Sequence, residues 1–347
     1  MNMNKNMALV ASDLHLRPAH ADLAVRILAK IESEIDLTQP EYLLIPGDTF
    51  HTKDKIYASM ILLFEEFLVR VTKKCKVIIL VGNHDWGVPY TVHSLQCFEW
   101  IENLTVVGST YKLNDKVGFI GYCREKERFE TLMQDLQGCE IIFGHLDLNG
   151  FDLGSGWEET DSFCGAERFT SFKKVFSGHF HKAQERTLSN GTEIIYIGTG
   201  YTTDFNESDQ EKRFLLINLE TGDWTAIPTN MTLHRTLKID ARDSLPKLPE
   251  EDIANGVHFR VRVSGTKEEI ANFKVPNNYQ AKIVYDFKNT EVARLDINAT
   301  DSHEQMMNKF VDYEIKRVYG TLEESKVDRD KLMKIGKSVM AKAGIKK

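Results

Sequence analysis

Asp13-Leu14-His15, Gly47-Asp48, Gly82-Asn83-His84-Asp85, Gly144-His145 and Gly178-His179-Phe180-His181 share one arrangement. Each sets side chains able to bind a metal just past an apolar run, and His51 follows Asp48 by three residues. The runs are Met7–Val10, Tyr42–Ile45, Val77–Val81, Ile141–Phe143 and Val175-Phe176. In an open α/β sheet, ligands collect at the carboxyl ends of strands. Five such ends carrying Asp, His and Asn are therefore expected to converge on one point. Two divalent ions roughly 3.5–4 Å apart can clamp the attacking and leaving oxygens of a phosphoryl displacement. Holding them that close needs a bridging carboxylate, and Asp48, on a turn between Gly47 and Thr49, is the natural choice. Imidazole with carboxylate or amide oxygen suits Mn²⁺, Fe²⁺ or Zn²⁺ better than Ca²⁺ or Mg²⁺. These segments hold no cysteine, which argues against a structural zinc cage. Gly-Asp and Gly-His pairs are common in turns, so the ordered set carries the reading rather than any single member.

The elements that must position these residues follow from periodicity. Leu23, Ile27, Ile31 and Ile35 recur on one helical face before Gln39-Pro40, and Ile56, Met60, Phe64, Phe67 and Val71 do so after Asp48. Val92, Leu95, Phe98 and Ile101 predict a third helix. This β-α-β-α-β series implies a parallel sheet with right-handed crossovers. Shorter strands are expected near 105–107, 117–121, 140–143, 174–177 and 193–197. A hairpin joins Phe214–Leu219 to Trp224–Ile227 across Glu220-Thr221-Gly222-Asp223. Two packed sheets flanked by helices fit the pattern.

The order D-x-H, G-D, G-N-H-D, G-H, G-H-x-H resembles that of calcineurin-like metallophosphoesterases, and within them the SbcD-type DNA nucleases. Gly47-Asp48-Thr49-Phe50-His51 is similar to the G-D-x-F-[DH] element of that branch. Gly198-Thr199-Gly200, Phe205-Asn206-Glu207 and Lys212-Arg213-Phe214 resemble its G-[ST]-P…F-x-E…K-G-F stretch, with Gly200 where relatives have Pro. Residues 144–150 and 230–235 resemble phage-encoded members in particular. The similarity covers residues 1 to about 236 well and the remainder only in layout. It implies a four-layer αββα sandwich for residues 1–236, a small α+β capping domain over 237–300 that steers DNA, and a helical partner-binding tail over 301–347.

The resemblance also implies roles. Asp13, His15 and His181 are expected to hold one ion, and Asn83, His145 and His179 the other, with Asp48 bridging. The expected cofactors are two Mn²⁺, with Mg²⁺, Fe²⁺ or Zn²⁺ as alternatives, aiming a hydroxide at a DNA phosphodiester. His84 would act as general acid or stabilise the leaving oxygen, Asp85 would hold the His84 imidazole in the right tautomer, and His51 would orient the phosphate. The implied partners are DNA and an SbcC-type ABC ATPase that docks the C-terminal helices, in a heterotetramer built on a homodimer. The competing readings are a phosphatase or small-molecule phosphodiesterase on the same scaffold, and a catalytically silent scaffold that recruits the ATPase. Intact ligands at every position speak against the silent form.

Composition bounds these expectations. A chain of 347 residues exceeds the usual single-core size. No apolar run approaches a membrane span, and the Asn- and Met-rich start lacks a signal-peptide core, so a cytoplasmic enzyme is expected (host cytoplasm if phage-encoded). The five cysteines form no C-x-x-C pair. Cys75, Cys97, Cys123 and Cys139 are expected in the core and Cys164 at the surface, none of them a nucleophile. The net charge is −7, and residues from Ser302 on carry eleven Lys/Arg against seven Asp/Glu, leaving −11 on the preceding 301. An acidic body without a long basic stripe is expected to bind DNA poorly by itself.

Beyond the motifs, the glycine- and aromatic-rich stretch 147–172 reads as a long loop that either lines a substrate channel, with Trp157 stacking on a base, or is simply pinned down by its aromatics. Asp240–Pro249 reads as a linker. Residues 257–263 and 280–285 read as strands and 267–273 as a helix, with Arg260 and Arg262 on one strand face, more in keeping with solvated charge than with phosphate contacts. In the tail, Ser302–Gln305 forms a capping box before the stripe Met307, Val311, Ile315, Val318. A second stripe holds Leu332, Ile335, Val339 and Ala343. These helices either pack on the body or bind a partner, and the resemblance favours the partner.

Overall fold

Strands buried on both faces should be runs of branched apolar residues, and the first half of the chain supplies them in turn with helices. In the computed structural model, which describes residues 4–53, 55–87, 91–154, 157–208, 210–288 and 305–312, the order is β1 (Asn4–Val10), α1 (Ala21–Thr38), β2 (Pro40–Ile45), α2 (Ala58–Val71), β3 (Lys76–Leu80), β4 (Leu104–Val107), β5 (Thr110–Lys112) and β6 (Val117–Ile120). Next come α3 (Lys126–Asp135), β7 (Ile141–His145), β8 (Lys174–Gly178), β9 (Gln184–Thr187), β10 (Glu193–Tyr196), β11 (Arg213–Asn218) and β12 (Trp224–Pro228). Then follow β13 (His234–Asp240), α4 (Glu250–Ala254), β14 (His258–Gly265), α5 (Lys267–Asn272) and β15 (Ala281–Phe287).

Two six-stranded sheets form, ordered β12-β11-β1-β2-β3-β4 and β5-β6-β7-β8-β10-β9. Side chains alternate between faces along a strand, and each strand therefore feeds two cores. Ala8, Val10, Leu44, Ile78 and Leu80 of the first sheet meet Phe119, Phe143, Phe176 and Ile195 of the second between the sheets. Leu9, Leu43, Ile45, Val77 and Ile79 face the other way, onto Ile27, Ile31, Phe64 and Phe67 of α1 and α2. Ile142, Val175 and Ile194 cover Phe129 and Leu132 of α3 together with Phe151 and Phe169 of the long loop. The layers are helix, sheet, sheet, helix, as the resemblance implied. The parallel β1-β2-β3-β4 and β6-β7-β8-β10 pairings bring the carboxyl ends of the motif-bearing strands into register.

Several expectations are corrected. The helix predicted over Val92–Ile101 is only a 3₁₀ turn at Ser94–Phe98, and Val92 is exposed. Leu95, Phe98 and Ile101 are buried at three-residue spacing, the repeat that a 3₁₀ helix aligns. Ser94 also donates its N–H to the Asp85 carbonyl, tying the segment to the Gly82–Asp85 loop. Cys97 is exposed and Cys123 half-buried, whereas Cys164 is buried because its loop folds back onto the α3 core. Helix α3 and strands β5, β9 and β13 were not anticipated. β9 is an edge strand with no apolar residue, and α3 shows only Phe129 and Leu132 buried amid charge.

The chain divides into two units, one of residues Met1–Thr236 and Pro249–Arg260, the other of Leu237–Leu248 and the residues from Val261 on. In the second unit Val261, Val263 and Ile270 are buried, α5 starts with a Thr266/Glu269 capping box, and Arg262 forms a bidentate pair with Asp286 at 2.7 and 2.6 Å. In the first unit Arg260 donates to Thr236 Oγ1 and to the Phe205 carbonyl. The two arginines thus already have protein partners. Residues 305–312 are helical, with Met307 and Val311 half-buried. The remainder of the proposed tail stripes, Leu332 and Ile335 included, lies outside the described residues. No helix among the described residues is long and apolar enough to cross a membrane.

Candidate metal centre

The loops after β1 and β2 continue side by side beyond their strands. Asp13, His15 and Leu16 donate N–H groups to the carbonyls of Gly47, Asp48 and Thr49 at 3.2, 3.0 and 2.9 Å, and His51 returns one to Leu16 at 3.2 Å. Such a ladder of loops demands unusual backbone. Asp13, His15, Asp48 and His179 all have positive φ (54°, 44°, 51° and 93°). Non-glycine residues in that region cost of order 1–3 kcal/mol each and cluster at functional sites. Glycines make the remaining room: a Cβ on Gly82 would lie 2.2 Å from the Asp48 nitrogen and Oδ1, and one on Gly178 2.3 Å from Ser12 Oγ and the Pro46 carbonyl. Gly82→Ala is expected to lower stability by about 1–3 kcal/mol through overpacking and to weaken metal binding, both measurable by thermal melts with and without Mn²⁺. An unchanged melt with unchanged metal response would contradict it.

The seven expected ligands meet. His15 Nε2 and His181 Nε2 are 2.9 Å apart, and Asp13 groups with them within 4.8 Å. Asn83 Oδ1 lies 2.9 Å from His145 Nε2 and 3.0 Å from His179 Nδ1. Asp48 stands between the sets, Oδ2 at 3.7 Å from His15 Nε2 and Oδ1 at 3.3 Å from His145 Nε2. With metal–nitrogen bonds of about 2.0–2.1 Å, donors sharing an ion sit about 3 Å apart, so this spacing fits a pair of ions bridged by Asp48. For His179 and His15 the electrostatics agree. Burial pulls His179 down to about 3 and His15 well below the usual imidazole range, leaving both as neutral donors. Burial pushes Asp48 upward, but the His145, His15 and His84 imidazoles outweigh it and hold the carboxyl well below its ordinary range. His145 moves up to about 9, since its Asp48 partner outweighs burial.

His51 and His84 adjoin the first set: with His15 they form another group within 4.8 Å. The expected Asp85–His84 pairing does not form. His84 donates Nδ1–H to the His51 carbonyl at 2.6 Å. Asp85 is fully buried and accepts the N–H groups of Gly82, Thr49 and Phe50 at 2.9, 3.2 and 3.1 Å. Its side chain points under the loop, so it braces the metal-bearing turns and leaves the imidazole to a backbone oxygen. Burial and the neighbouring Asp48 push its carboxyl up to about 7.

The sequence model of calcineurin-like phosphoesterases matches residues 8–183, just over half the chain. The chain belongs to this family. It is a metallophosphoesterase, and divalent metals are implied by that membership. It is similar to "Exonuclease subunit 1" of Enterobacteria phage T4, 24% identical over 65% of this chain and 64% of that protein. It is similar also to "Putative phosphoesterase 244L" of Invertebrate iridescent virus 6, 27% identical over 55% of this chain and 67% of that one. The chain thus spans about two thirds of the length of these relatives. A dimetal phosphatase structure from Danio rerio is 12% identical, with 65% of this chain and 99% of that one covered at a TM-score of 0.37.

Around the candidate ligands of this metallophosphoesterase, the structure adds residues that sequence reading missed. Arg17 donates to His51 Nε2 at 3.2 Å, which sets a guanidinium beside His51. Burial and then Arg17 pull His51 down to about 4. The Tyr122 ring stacks on His179. Glu207 accepts His181 Nδ1–H at 2.8 Å and pairs with Lys212 at 2.9 Å. Arg17 could have been flagged by its place two residues after His15. Glu207 and Lys212 appeared only as letters of a family pattern.

Glu207 also predicts a pH response. Burial raises its carboxyl, but His181 and Lys212 outweigh burial and hold it down to about 2 against an ordinary 4.5. A depressed folded value means stability that is present above 4.5 and lost as pH falls towards 2. Denaturation midpoints of the metal-free protein, followed from about pH 6 to about pH 3, should fall more steeply for wild type than for Glu207→Gln. Parallel curves would contradict the assignment.

Proposed function

We propose that the chain is the DNA-cleaving subunit of a recombination and repair complex of the SbcCD kind, hydrolysing phosphodiesters at a two-ion centre. The observation that carries this reading is the ligand set, six side chains gathered around a shared Asp48, beside three groups suited to a phosphodiester. Those groups are His84, His51 and Arg17. Similarity to a phage exonuclease subunit over 65% of the chain points to nucleic acid as the substrate.

Two bound ions, most naturally Mn²⁺, would supply Lewis acidity and a water activated at neutral pH. The chain does the rest. Asp13, His15 and His181 would hold one ion, Asn83, His145 and His179 the other, with Asp48 as the carboxylate they would share. His84, its Nδ1–H anchored on the His51 carbonyl, keeps Nε2 for exchanging a proton with the leaving oxygen. Arg17 and His51 orient the phosphate. Trp157, three quarters exposed on the 147–172 loop, offers a face for stacking on a base. Residues 1–236 form the phosphoesterase domain, 237–300 a capping domain that steers DNA, and 301–347 a tail that docks an ABC-type ATPase within a dimer-based assembly. The acidic body leaves much of the DNA affinity to that partner.

The test compares Mn²⁺-dependent degradation of linear duplex DNA with hydrolysis of a chromogenic phosphomonoester. Purified protein should be inactive in chelator, be restored best by Mn²⁺, and degrade DNA. Robust phosphomonoester turnover with no action on DNA would make it a phosphatase instead.

A further inference from the structure

Each histidine ligand of a metal offers a second nitrogen, and what that nitrogen meets decides the tautomer and the basicity of the ligand. The four histidines here differ. His145 Nδ1 donates to the neutral Pro46 carbonyl at 2.7 Å, and His179 Nε2 lies 3.7 Å from Asp147 Oδ1, beyond hydrogen-bond reach. His15 Nδ1 is buried without a partner. Among the described residues, only His181 sets this second nitrogen on a carboxylate at hydrogen-bonding distance, Glu207 Oε1 at 2.8 Å.

That carboxylate is itself built into place. Glu207 and Lys212 are 5% and 4% exposed, and Lys212 Nζ pairs with Oε2 at 2.9 Å. Thr203 donates its hydroxyl to Oε1 at 2.6 Å and its N–H to Oε2 at 2.8 Å. Lys212 also donates to Thr199 Oγ1 at 2.7 Å and to the His181 carbonyl at 3.1 Å. The pair therefore grips the His181 backbone through Lys212 and the His181 ring through Glu207. With the proton kept on Nδ1, Nε2 presents its lone pair towards His15 Nε2, 2.9 Å away. The Asp13 carboxylate groups with His15 and His181, and also lies within reach of Asp48 and His145, whereas the amide of Asn83, which meets His145 and His179, is neutral.

We infer that Glu207, held by Lys212, is a positioning residue for His181, and that it makes the two ion sites unequal, the Asp13–His15–His181 site filling first. This rests on the two-ion reading above and goes beyond it by assigning an order of loading and the residue that sets it.

The experiment is Mn²⁺ titration of the full chain, stripped with chelator, by calorimetry, with Mn²⁺ electron paramagnetic resonance at one and two equivalents. Wild type should show a tight step with an isolated-ion signal, then a weaker step with a coupled one. Asn83→Ala should keep the tight step and lose the weak one. Glu207→Gln retains the shape but not the charge, and should weaken the tight step by roughly 10–100-fold, the usual effect of losing an outer partner of a ligand. The double variant Glu207→Gln/Lys212→Met, which leaves no unpaired buried charge, should show the same loss. If both variants melt lower yet bind the tight ion as wild type does, Glu207 is merely structural and the inference is overturned. Two equal steps in wild type overturn the loading order while leaving the two-ion reading intact. Fewer than two ions bound by wild type overturns that reading too.

Discussion

Asp48→Asn should reduce hydrolysis roughly 10³-fold or more and leave at least one ion unbound. The two oxygens of Asp48 face different halves of the ligand set, Oδ2 towards His15 and Oδ1 towards His145. An amide offers one oxygen and no charge, so it cannot serve both halves. The charge stabilisation supplied by a bound ion is worth several kcal/mol, and each ~1.4 kcal/mol is tenfold in rate. Oδ1 also accepts the His84 N–H at 2.8 Å, and the lone amide oxygen can keep that bond, so the variant should fold. Metal analysis of the purified variant, together with its rate, checks the expectation. Full activity with two ions bound would rule out a bridging role.

His84→Ala should behave differently, keeping both ions and losing about 10²–10⁴-fold in rate, the usual contribution of a positioned acid–base group. The ring is fixed through Nδ1 on a backbone oxygen, edge-on to His15 and stacked on His51. None of the close contacts among the seven ligand atoms passes through it. Its loss therefore removes a proton donor without opening the metal shell. The deficit should also shrink for substrates whose leaving group needs no proton, such as a nitrophenyl ester. If the variant has lost an ion, His84 belongs in the shell.

What the sequence made legible here depended on distance along the chain. Asp13, His15, Asp48, Asn83, His145, His179 and His181 could be read because each follows a strand, and strand ends converge by topology. The pairing of Asp85 with His84 that the resemblance implied does not form, because the turn that leaves His84 half-buried drives Asp85 inward to three backbone N–H groups. The contacts of Arg17 with His51 and of Glu207 with His181 link residues 34 and 26 positions apart. No local pattern marks these contacts, although the place of Arg17 two residues after His15 was visible. The segment after Asn83 shows the limit of periodicity: Leu95, Phe98 and Ile101 satisfy a 3₁₀ repeat as well as an α-helical one, and the tie from Ser94 to Asp85 decided between them.

The left-handed backbone at Asp13, His15, Asp48 and His179 sets catalysis and robustness against each other at the same positions. Glycine would relieve each of them and remove a proposed metal ligand at a stroke. A population selected for heat resistance alone would drift toward glycine or asparagine there and become a sturdier but inert protein. Any stabilising redesign that keeps these four side chains therefore has to begin elsewhere in the scaffold.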